Sequence, residues 1–145
     1  MRPKDLLASA VAYRLFARII RGNAWSVYLR TYVQPKTGEK VLDLGCGPAD
    51  MLQSLPPVDY TGVDLNPDYI QSARGRFGDR ARFMCADACS LELASLAGTF
   101  DLVLATGVIH HLDDLQAGRL IDVAYSALGN GGRCLLYTSD AADEL

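Results

Sequence analysis

Residues 41–50 read VLDLGCGPAD, an apolar run typical of a β-strand that ends in a glycine turn and then opens a helix. Glycine lets the backbone turn sharply, and a ligand can approach the main chain there without meeting a Cβ atom. The amides at the start of the next helix are expected to face that ligand. Asp43 precedes the first glycine by two residues, and its carboxylate repels a pyrophosphate but attracts a cationic group. The stretch therefore predicts a site for an adenosine-containing ligand that carries positive charge.

Two further apolar runs also end in an aspartate. The run 60–64 ends at Asp64, which lies 21 residues after Asp43, close to the distance of about 20 residues at which nucleotide-binding βαβ units place the acid that binds a ribose diol. The run 82–88 contains Asp87 near its end. Asn66 and Pro67 between the two runs predict a helix start. Three acids at successive strand ends indicate one binding edge of a parallel sheet.

A fourth apolar run, residues 100–105, is followed by a short linker and then by His110, His111, Leu112, Asp113 and Asp114. The two aspartates suit the first turn of a helix, where negative charge meets the positive end of the helix dipole. In an open parallel sheet, ligands bind at the carboxyl ends of the strands. Both histidines are therefore expected near the same edge as the three acids.

Residues 38–133 together resemble the class I S-adenosylmethionine-dependent methyltransferases, of the type that acts on small molecules. The first motif of that family is acidic-x-Gly-x-Gly-x-Gly, and the chain departs from it only at Ala49, where the third glycine is expected. The resemblance implies S-adenosyl-L-methionine as cofactor, with Asp64 at the ribose and Asp87 at the exocyclic amine of adenine. The implied cofactor-binding residues are Asp43, Gly45, Cys46, Gly47, Asp64, Leu65, Asp87, Ala88 and Thr106.

The alternation of strands and helices predicts an α/β fold, a Rossmann-like doubly wound and mostly parallel sheet with N-terminal helices. Five strands are expected, at 40–44, 59–64, 81–85, 100–105 and 133–138, where the family has seven. We expect an N-terminal helical arm at 1–36, acting as a cap or lid, and a partial cofactor-binding domain at 37–133. Residues 134–145 resemble translated sequencing-adapter DNA, so we expect a non-native tail there and a truncated natural chain.

Composition narrows the class of protein further. The net charge is −3, although residues 1–40 hold eight Lys or Arg against two acids and residues 41–145 hold six against fifteen. The overall acidity argues against nucleic-acid binding, while the basic arm, with a helical apolar period through Leu7, Val11, Leu15 and Ile19, allows peripheral contact with a membrane surface. No integral membrane segment or signal peptide is evident. The four cysteines form no metal-ligand pattern, so we expect no metal and a cytoplasmic protein with free thiols.

The expected activity is transfer of a methyl group to a small-molecule or lipid-like acceptor. The chain is expected to be an N-terminal fragment that need not itself be active. His110 and His111 are the candidate catalytic residues, because histidine suits proton abstraction near neutral pH; packing or capping roles stay open. One alternative is a nicotinamide-dependent oxidoreductase, although Asp50 occupies the last position of Gly-x-Gly-x-x-Gly. Another is a non-catalytic cofactor-binding module. The acceptor and the oligomeric state are not predicted.

Overall fold

The computed structural model describes residues 23–137, which form one five-stranded sheet. The strands are β1 (Lys40–Leu44), β2 (Asp59–Asp64), β3 (Ala81–Cys85), β4 (Phe100–Thr106) and β5 (Leu128–Tyr137). All neighbouring strands are parallel, in the order β3-β2-β1-β4-β5. The predicted α/β fold with a parallel sheet and five strands is confirmed.

The fifth strand begins five residues earlier than the sequence predicts. Leu128 already pairs with Phe100, and the register then jumps so that Arg133 pairs with Leu102. The residues between them form a glycine-rich bulge, in which Gly131 has a φ of 75° and a Cβ on Gly132 would lie 2.9 Å from the carbonyl oxygen of Phe100. The glycines before Arg133 therefore form a bulge inside the strand.

Two α-helices follow β2 and β4. Helix α1 (Pro67–Phe77) begins at Asn66, whose side chain accepts a hydrogen bond from the Asp68 amide. Helix α2 (Asp114–Ala127) begins at Asp113, which forms a reciprocal capping box with Gln116. Both predicted helix starts are confirmed, because each depends on a capping side chain that lies next to the helix in sequence.

The helix predicted after the glycine turn is only a short 3₁₀-helix, Asp50–Ser54. Further 3₁₀-helices lie at Gly78–Arg80, Leu91–Leu96 and Ile109–His111. Residues 23–28 are α-helical and Leu29–Val33 forms a π-helix, both within the helical arm predicted at 1–36. We call residues 23–33 the N-terminal segment. The rest of the predicted helical arm, including its apolar period through residues 7–19, lies outside the described residues.

Each face of the sheet carries its own apolar layer, as expected of a doubly wound fold. On one face, Leu29 of the N-terminal segment and Ile70 and Phe77 of α1 belong to one apolar cluster with residues of the sheet, and α1 lies against β2 and β3. On the other face, α2 packs on the sheet through Leu120 and Ala124. From β1 the sheet is extended on one side by β2 and β3 and then, after a crossover, on the other side by β4 and β5. The order of the strands therefore reverses between β1 and β4. The crevice at this switch point is where ligands bind in such sheets.

The last described residues are part of the sheet. Residues 134–137 pair with Val103–Thr106 of β4, and the Tyr137 ring packs on Tyr28 of the N-terminal segment with ring centroids 4.6 Å apart. Arg133 donates to Glu39, 2.6 Å away, and to the carbonyl oxygen of Val33. The division into three regions with a non-native tail stays a prediction, and residues 138–145 lie outside the described part of the chain.

Candidate functional site

The glycine turn after β1 folds back onto β2 and uses its own amides to do so. The amides of Gly45 and Cys46 both donate to the carbonyl oxygen of Val63, at 2.7 and 3.0 Å. Gly45 has a φ of 76°, and a Cβ there would lie 2.9 Å from the Cβ of Val108, so both backbone conformation and space require glycine. The amides of Gly45 and Cys46 are therefore not free to bind a ligand, and the expectation that the amides at the start of the next helix face the ligand stays a prediction.

Asp43 is a buried carboxylate, and no cationic side chain of the described residues neutralises it. Its side chain is 2% exposed and accepts a hydrogen bond from the Tyr60 hydroxyl, with 2.6 Å between oxygens. Within residues 23–137, none of the ion pairs includes Asp43. Burial raises the pKa of Asp43 to about 6, an effect that the Tyr60 hydrogen bond opposes and the nearby Asp64 reinforces. A carboxylate in this position favours the arrival of a positive group, because a buried unpaired charge is costly.

Asp64 accepts two backbone hydrogen bonds, one of them from the glycine turn. One oxygen accepts from the Gly47 amide at 2.8 Å, and the other accepts from the Asn66 amide at 2.9 Å. Each carboxylate oxygen has a second lone pair, so these bonds leave acceptor capacity for hydroxyl groups. The neighbouring Leu65 is 68% exposed, next to the carboxyl end of β2.

Asp87 stands on the next strand end and is exposed. It accepts a hydrogen bond from the Cys89 amide at 2.9 Å, which makes it the start of a local turn, and Ala88 beside it is buried. Asp87 also lines a cavity of about 620 Å³ between the Leu91–Leu96 helix and α2, on the far side from the glycine turn. The carboxylate therefore has a structural role in addition to the binding role that the sequence suggested.

Five of the nine predicted cofactor-binding residues line one cavity of about 180 Å³ at the switch point, namely Asp43, Gly45, Cys46, Gly47 and Thr106. Asp64, Leu65, Asp87 and Ala88 lie outside it. A cavity of this size holds only part of a cofactor, since sites for drug-sized ligands measure about 300–1,000 Å³. The geometry therefore suits the charged end of a ligand whose remainder extends past Gly47 toward Asp64.

Sequence reasoning missed two residues of this region. Trp25, on the N-terminal segment, lines the cavity together with Asp43 and Thr106, and it is the single tryptophan of the chain. Tyr60 lies beneath the cavity and bonds to Asp43. The signal for Tyr60 was its position on a strand next to β1, where it pairs with Val41, two residues before Asp43. Nothing in the sequence alone indicated Trp25.

The other acid of the cavity, Asp50, is already paired. Its carboxylate lies 2.6 Å from Arg76 at the end of α1, and the same guanidinium nitrogen donates to the carbonyl oxygen of Pro48 at 2.9 Å. No Lys, Arg or His is among the described residues that line the cavity. Asp43 is therefore the carboxylate left to receive a cation.

The two histidines lie together on the 3₁₀-helix Ile109–His111 and are exposed. Their ring centroids are 3.8 Å apart. Neither ring lines the cavity at the switch point or the larger one beside α2. The pair follows the carboxyl end of β4. A catalytic role for either histidine stays a prediction.

Residues 23–137 contain no cluster of His, Cys, Asp or Glu that suits a metal ion. All four cysteines, Cys46, Cys85, Cys89 and Cys134, are free thiols. In the same part of the chain, no helix has the length and apolar character needed to cross a membrane.

Comparison with known proteins agrees with this geometry. The family described as "Methyltransferase domain" matches residues 41–132. A ubiquinone biosynthesis O-methyltransferase from Psychrobacter cryohalolentis is 32% identical over 108 residues, covering 70% of this chain and 41% of the relative. A malonyl-[acyl-carrier protein] O-methyltransferase from Legionella pneumophila is 30% identical over 108 residues, covering 72% and 37%. The chain thus spans about two fifths of the length of these curated relatives.

Among solved structures, a TehB-like SAM-dependent methyltransferase from Corynebacterium glutamicum superposes with a TM-score of 0.65. It is 25% identical in sequence, and the match covers 93% of this chain and 73% of that one. The parallel sheet, the glycine turn and the strand-terminal acids thus coincide with a family match over most of the described residues. The chain belongs to the methyltransferase domain family, within the class I S-adenosylmethionine-dependent methyltransferases.

Proposed function

We propose that this chain provides the S-adenosyl-L-methionine-binding part of a methyltransferase that acts on a small-molecule or lipid-like acceptor. The observation that carries the proposal is the buried carboxylate of Asp43, which faces the switch-point cavity without a cation of its own. The cofactor has an ammonium and a sulfonium group. Either charge would offset the cost of burying Asp43.

The amides of the glycine turn support a cationic ligand over a dinucleotide. A pyrophosphate needs free N–H groups and the positive end of a helix. Here the amides of Gly45 and Cys46 bond to Val63, and the helix that follows has only five residues. The acid beside the turn would also repel phosphate. These features and the family match favour a methyltransferase over the nicotinamide-dependent alternative.

We assign each predicted residue a part of the cofactor. Asp43 would receive the ammonium group, with Gly45, Cys46, Gly47 and Thr106 forming the walls around it. Asp64 would accept both ribose hydroxyls, since its lone pairs exceed the two amide bonds it already makes. Asp87 would accept the adenine amine, and the apolar surfaces of Leu65 and Ala88 would flank the nucleoside.

When bound, the cofactor supplies an electrophilic methyl group. The residues of the chain then have to hold the acceptor in line with that methyl group and keep water out, which is worth about 7–11 kcal/mol in well-oriented reactions. An acceptor that loses a proton also needs a base. His110 or His111 would serve in this role from the carboxyl end of β4.

The acceptor class rests on the relatives. One relative is named for ubiquinone biosynthesis and another for malonyl-[acyl-carrier protein], which supports a small organic or carrier-bound acceptor for the whole protein. The four free thiols support a cytoplasmic location. The basic residues at 1–40 support peripheral contact with a membrane, and the overall acidity argues against nucleic acid as a partner.

Calorimetric titration with S-adenosylhomocysteine, the demethylated product, tests the proposal. We expect saturable binding that is tighter than that of NADH. Asp43→Asn should weaken it at least tenfold, because hydrogen bonds to charged groups contribute about 1.5–3 kcal/mol. Asp79→Asn, an exposed acid on the Gly78–Arg80 turn, is the matched control and should bind like the wild type. Tighter binding of NADH, or equal affinity in Asp43→Asn, would overturn the proposal.

A further inference from the structure

The hydroxyl group of Tyr60 is buried next to Asp43, which lines the switch-point cavity. The residue is 1% exposed and pairs with Val41 in the sheet, so Asp43 lies two positions further along the same face of the neighbouring strand. The Tyr60 hydroxyl reaches forward and donates to the Asp43 carboxylate at 2.6 Å. Tyr60 does not line the cavity itself, so it acts on a ligand only through Asp43.

The other groups that face Asp43 give it no positive charge. Asp64 on β2 and the thiol of Cys46 in the glycine turn are its titratable neighbours in the site, and the hydroxyl of Tyr28 approaches from the N-terminal segment. Burial raises the pKa of Cys46 and, more strongly, that of Tyr60, so both stay neutral near pH 7. Tyr60 therefore keeps its proton and remains a donor to Asp43.

We propose that Tyr60 is a positioning residue of the cofactor site, which holds the Asp43 carboxylate in the orientation and the ionised form that receive a cationic group. The inference rests on the proposed function, since it assumes that the cation belongs to the cofactor. The hydrogen bond from Tyr60 affects binding through the Asp43 carboxylate. The hydrogen bond from a ring buried in the apolar layer restricts the rotation of the Asp43 carboxylate, which lowers the ordering cost of binding.

The proposal has a consequence for the pH dependence of binding. Asp43 receives a cation only when it is ionised, and its pKa of about 6 means that protonation competes with binding below that pH. The Tyr60 hydrogen bond stabilises the ionised form. Removing it should raise the pKa of Asp43, and the pH below which affinity falls should therefore move upward.

The test is calorimetric titration of wild type and Tyr60→Phe with S-adenosylhomocysteine from pH 5 to 8.5. Phenylalanine keeps the ring that packs 6.0 Å from Phe83 and removes only the hydroxyl. For an upward shift of about one pKa unit, the loss of affinity through ionisation alone is about fivefold at pH 6 and close to nothing at pH 8. Lost orientation adds the same factor at both pH values, so the total loss should be about fivefold larger at pH 6 than at pH 8. Tyr125→Phe, which removes a hydroxyl from a residue 79% exposed on α2, is the matched control and should follow the wild-type profile.

The outcomes separate the two proposals. No binding by the wild type at pH 8 overturns the proposed function and this inference with it. Binding by the wild type, with a Tyr60→Phe profile that superposes on it, overturns the positioning role alone. A loss that is equal at pH 6 and pH 8 also overturns it, because a merely structural role is not tied to Asp43 ionisation.

A second measurement needs no substitution and holds even where Tyr60→Phe fails to fold. In the unmodified protein, the NMR carbon shift of the Tyr60 ring atom that carries the hydroxyl should titrate with the Asp43 carboxyl, with a midpoint near pH 6. A shift that stays constant from pH 5 to pH 8 would contradict the inference.

Discussion

Replacement of Asp64 by alanine is expected to lower both the stability of the fold and its affinity for the cofactor. The carboxylate accepts the amides of Gly47 and Asn66 at 2.8 and 2.9 Å. Asn66 is exposed, so water replaces that bond, whereas the half-buried Gly47 amide loses its acceptor at a cost of about 1–3 kcal/mol. For a domain of this size, about 2 kcal/mol corresponds to a decrease in Tm of roughly 8 °C.

The affinity effect adds to the stability effect and is measured separately. Loss of the acceptor for the ribose hydroxyls should weaken S-adenosylhomocysteine binding by about 1–3 kcal/mol, at a temperature where thermal unfolding shows the variant to be folded. Asp59→Ala is the matched control, because Asp59 begins the same strand and makes an exposed ion pair with Arg82 at 2.8 Å. Such a pair is worth about 0–1 kcal/mol, and it lies far from the carboxyl end of β2.

Two results would refute this reasoning about Asp64. Equal Tm values for Asp64→Ala and Asp59→Ala would show that Asp64 does not brace the glycine turn. A less stable Asp64→Ala protein with wild-type affinity would show that the residue supports the turn but does not bind the ribose.

Three further predictions concern other parts of the site. Gly62→Ala should destabilise the fold by about 1–3 kcal/mol, because its Cβ would lie 2.7 Å from the Cys46 sulfur. Chemical denaturation should show that adding Cys46→Gly restores part of the lost stability. A double variant as unstable as Gly62→Ala would contradict the contact. The native pKa of Asp43 is raised from 3.8 to about 6, so the native state holds the extra proton and the free energy of unfolding should fall by about 3 kcal/mol as pH rises through that window. Asp43→Asn should remove this decrease. In methyl-transfer assays of a protein with an identified acceptor, His110→Ala or His111→Ala should lose turnover at unchanged cofactor affinity; loss of cofactor binding instead would assign a structural role.

The parts of the fold that could be predicted from the sequence depend on local signals. Asn66 and Asp113 cap helices that begin at the next residue. The sheet also brings an acid or a hydroxyl, at or next to the carboxyl end of each of the first four strands, to one edge: Asp43, Asp64, Asp87 and Thr106. Periodicity did not give the length of the crossover after β1, because the left-handed conformation of Ala49, with a φ of 61°, and the packing of Met51 and Leu52 favour a short 3₁₀-helix.

The missing parts of the site depend on contacts between distant segments. Trp25 reaches the cavity only because the N-terminal segment packs across β1 and β4. The early start of β5 follows from the close approach of Gly132 to Phe100, which residues separated by a helix cannot reveal in sequence. Sequence reasoning identified Asp43 as a cation-attracting group, but its burial and its bond to Tyr60 require the sheet register.

The central claim is that the switch-point cavity receives the charged end of S-adenosyl-L-methionine, and the single tryptophan reports on it directly. Trp25 lines the cavity beside Asp43, so its fluorescence should change when a ligand enters. Titration with S-adenosylhomocysteine is predicted to give a saturable change in emission that NADH does not reproduce. In Asp43→Asn the change should need at least tenfold more ligand. Calorimetric binding of S-adenosylhomocysteine with no change in Trp25 emission, or a saturable change with NADH alone, would contradict the account.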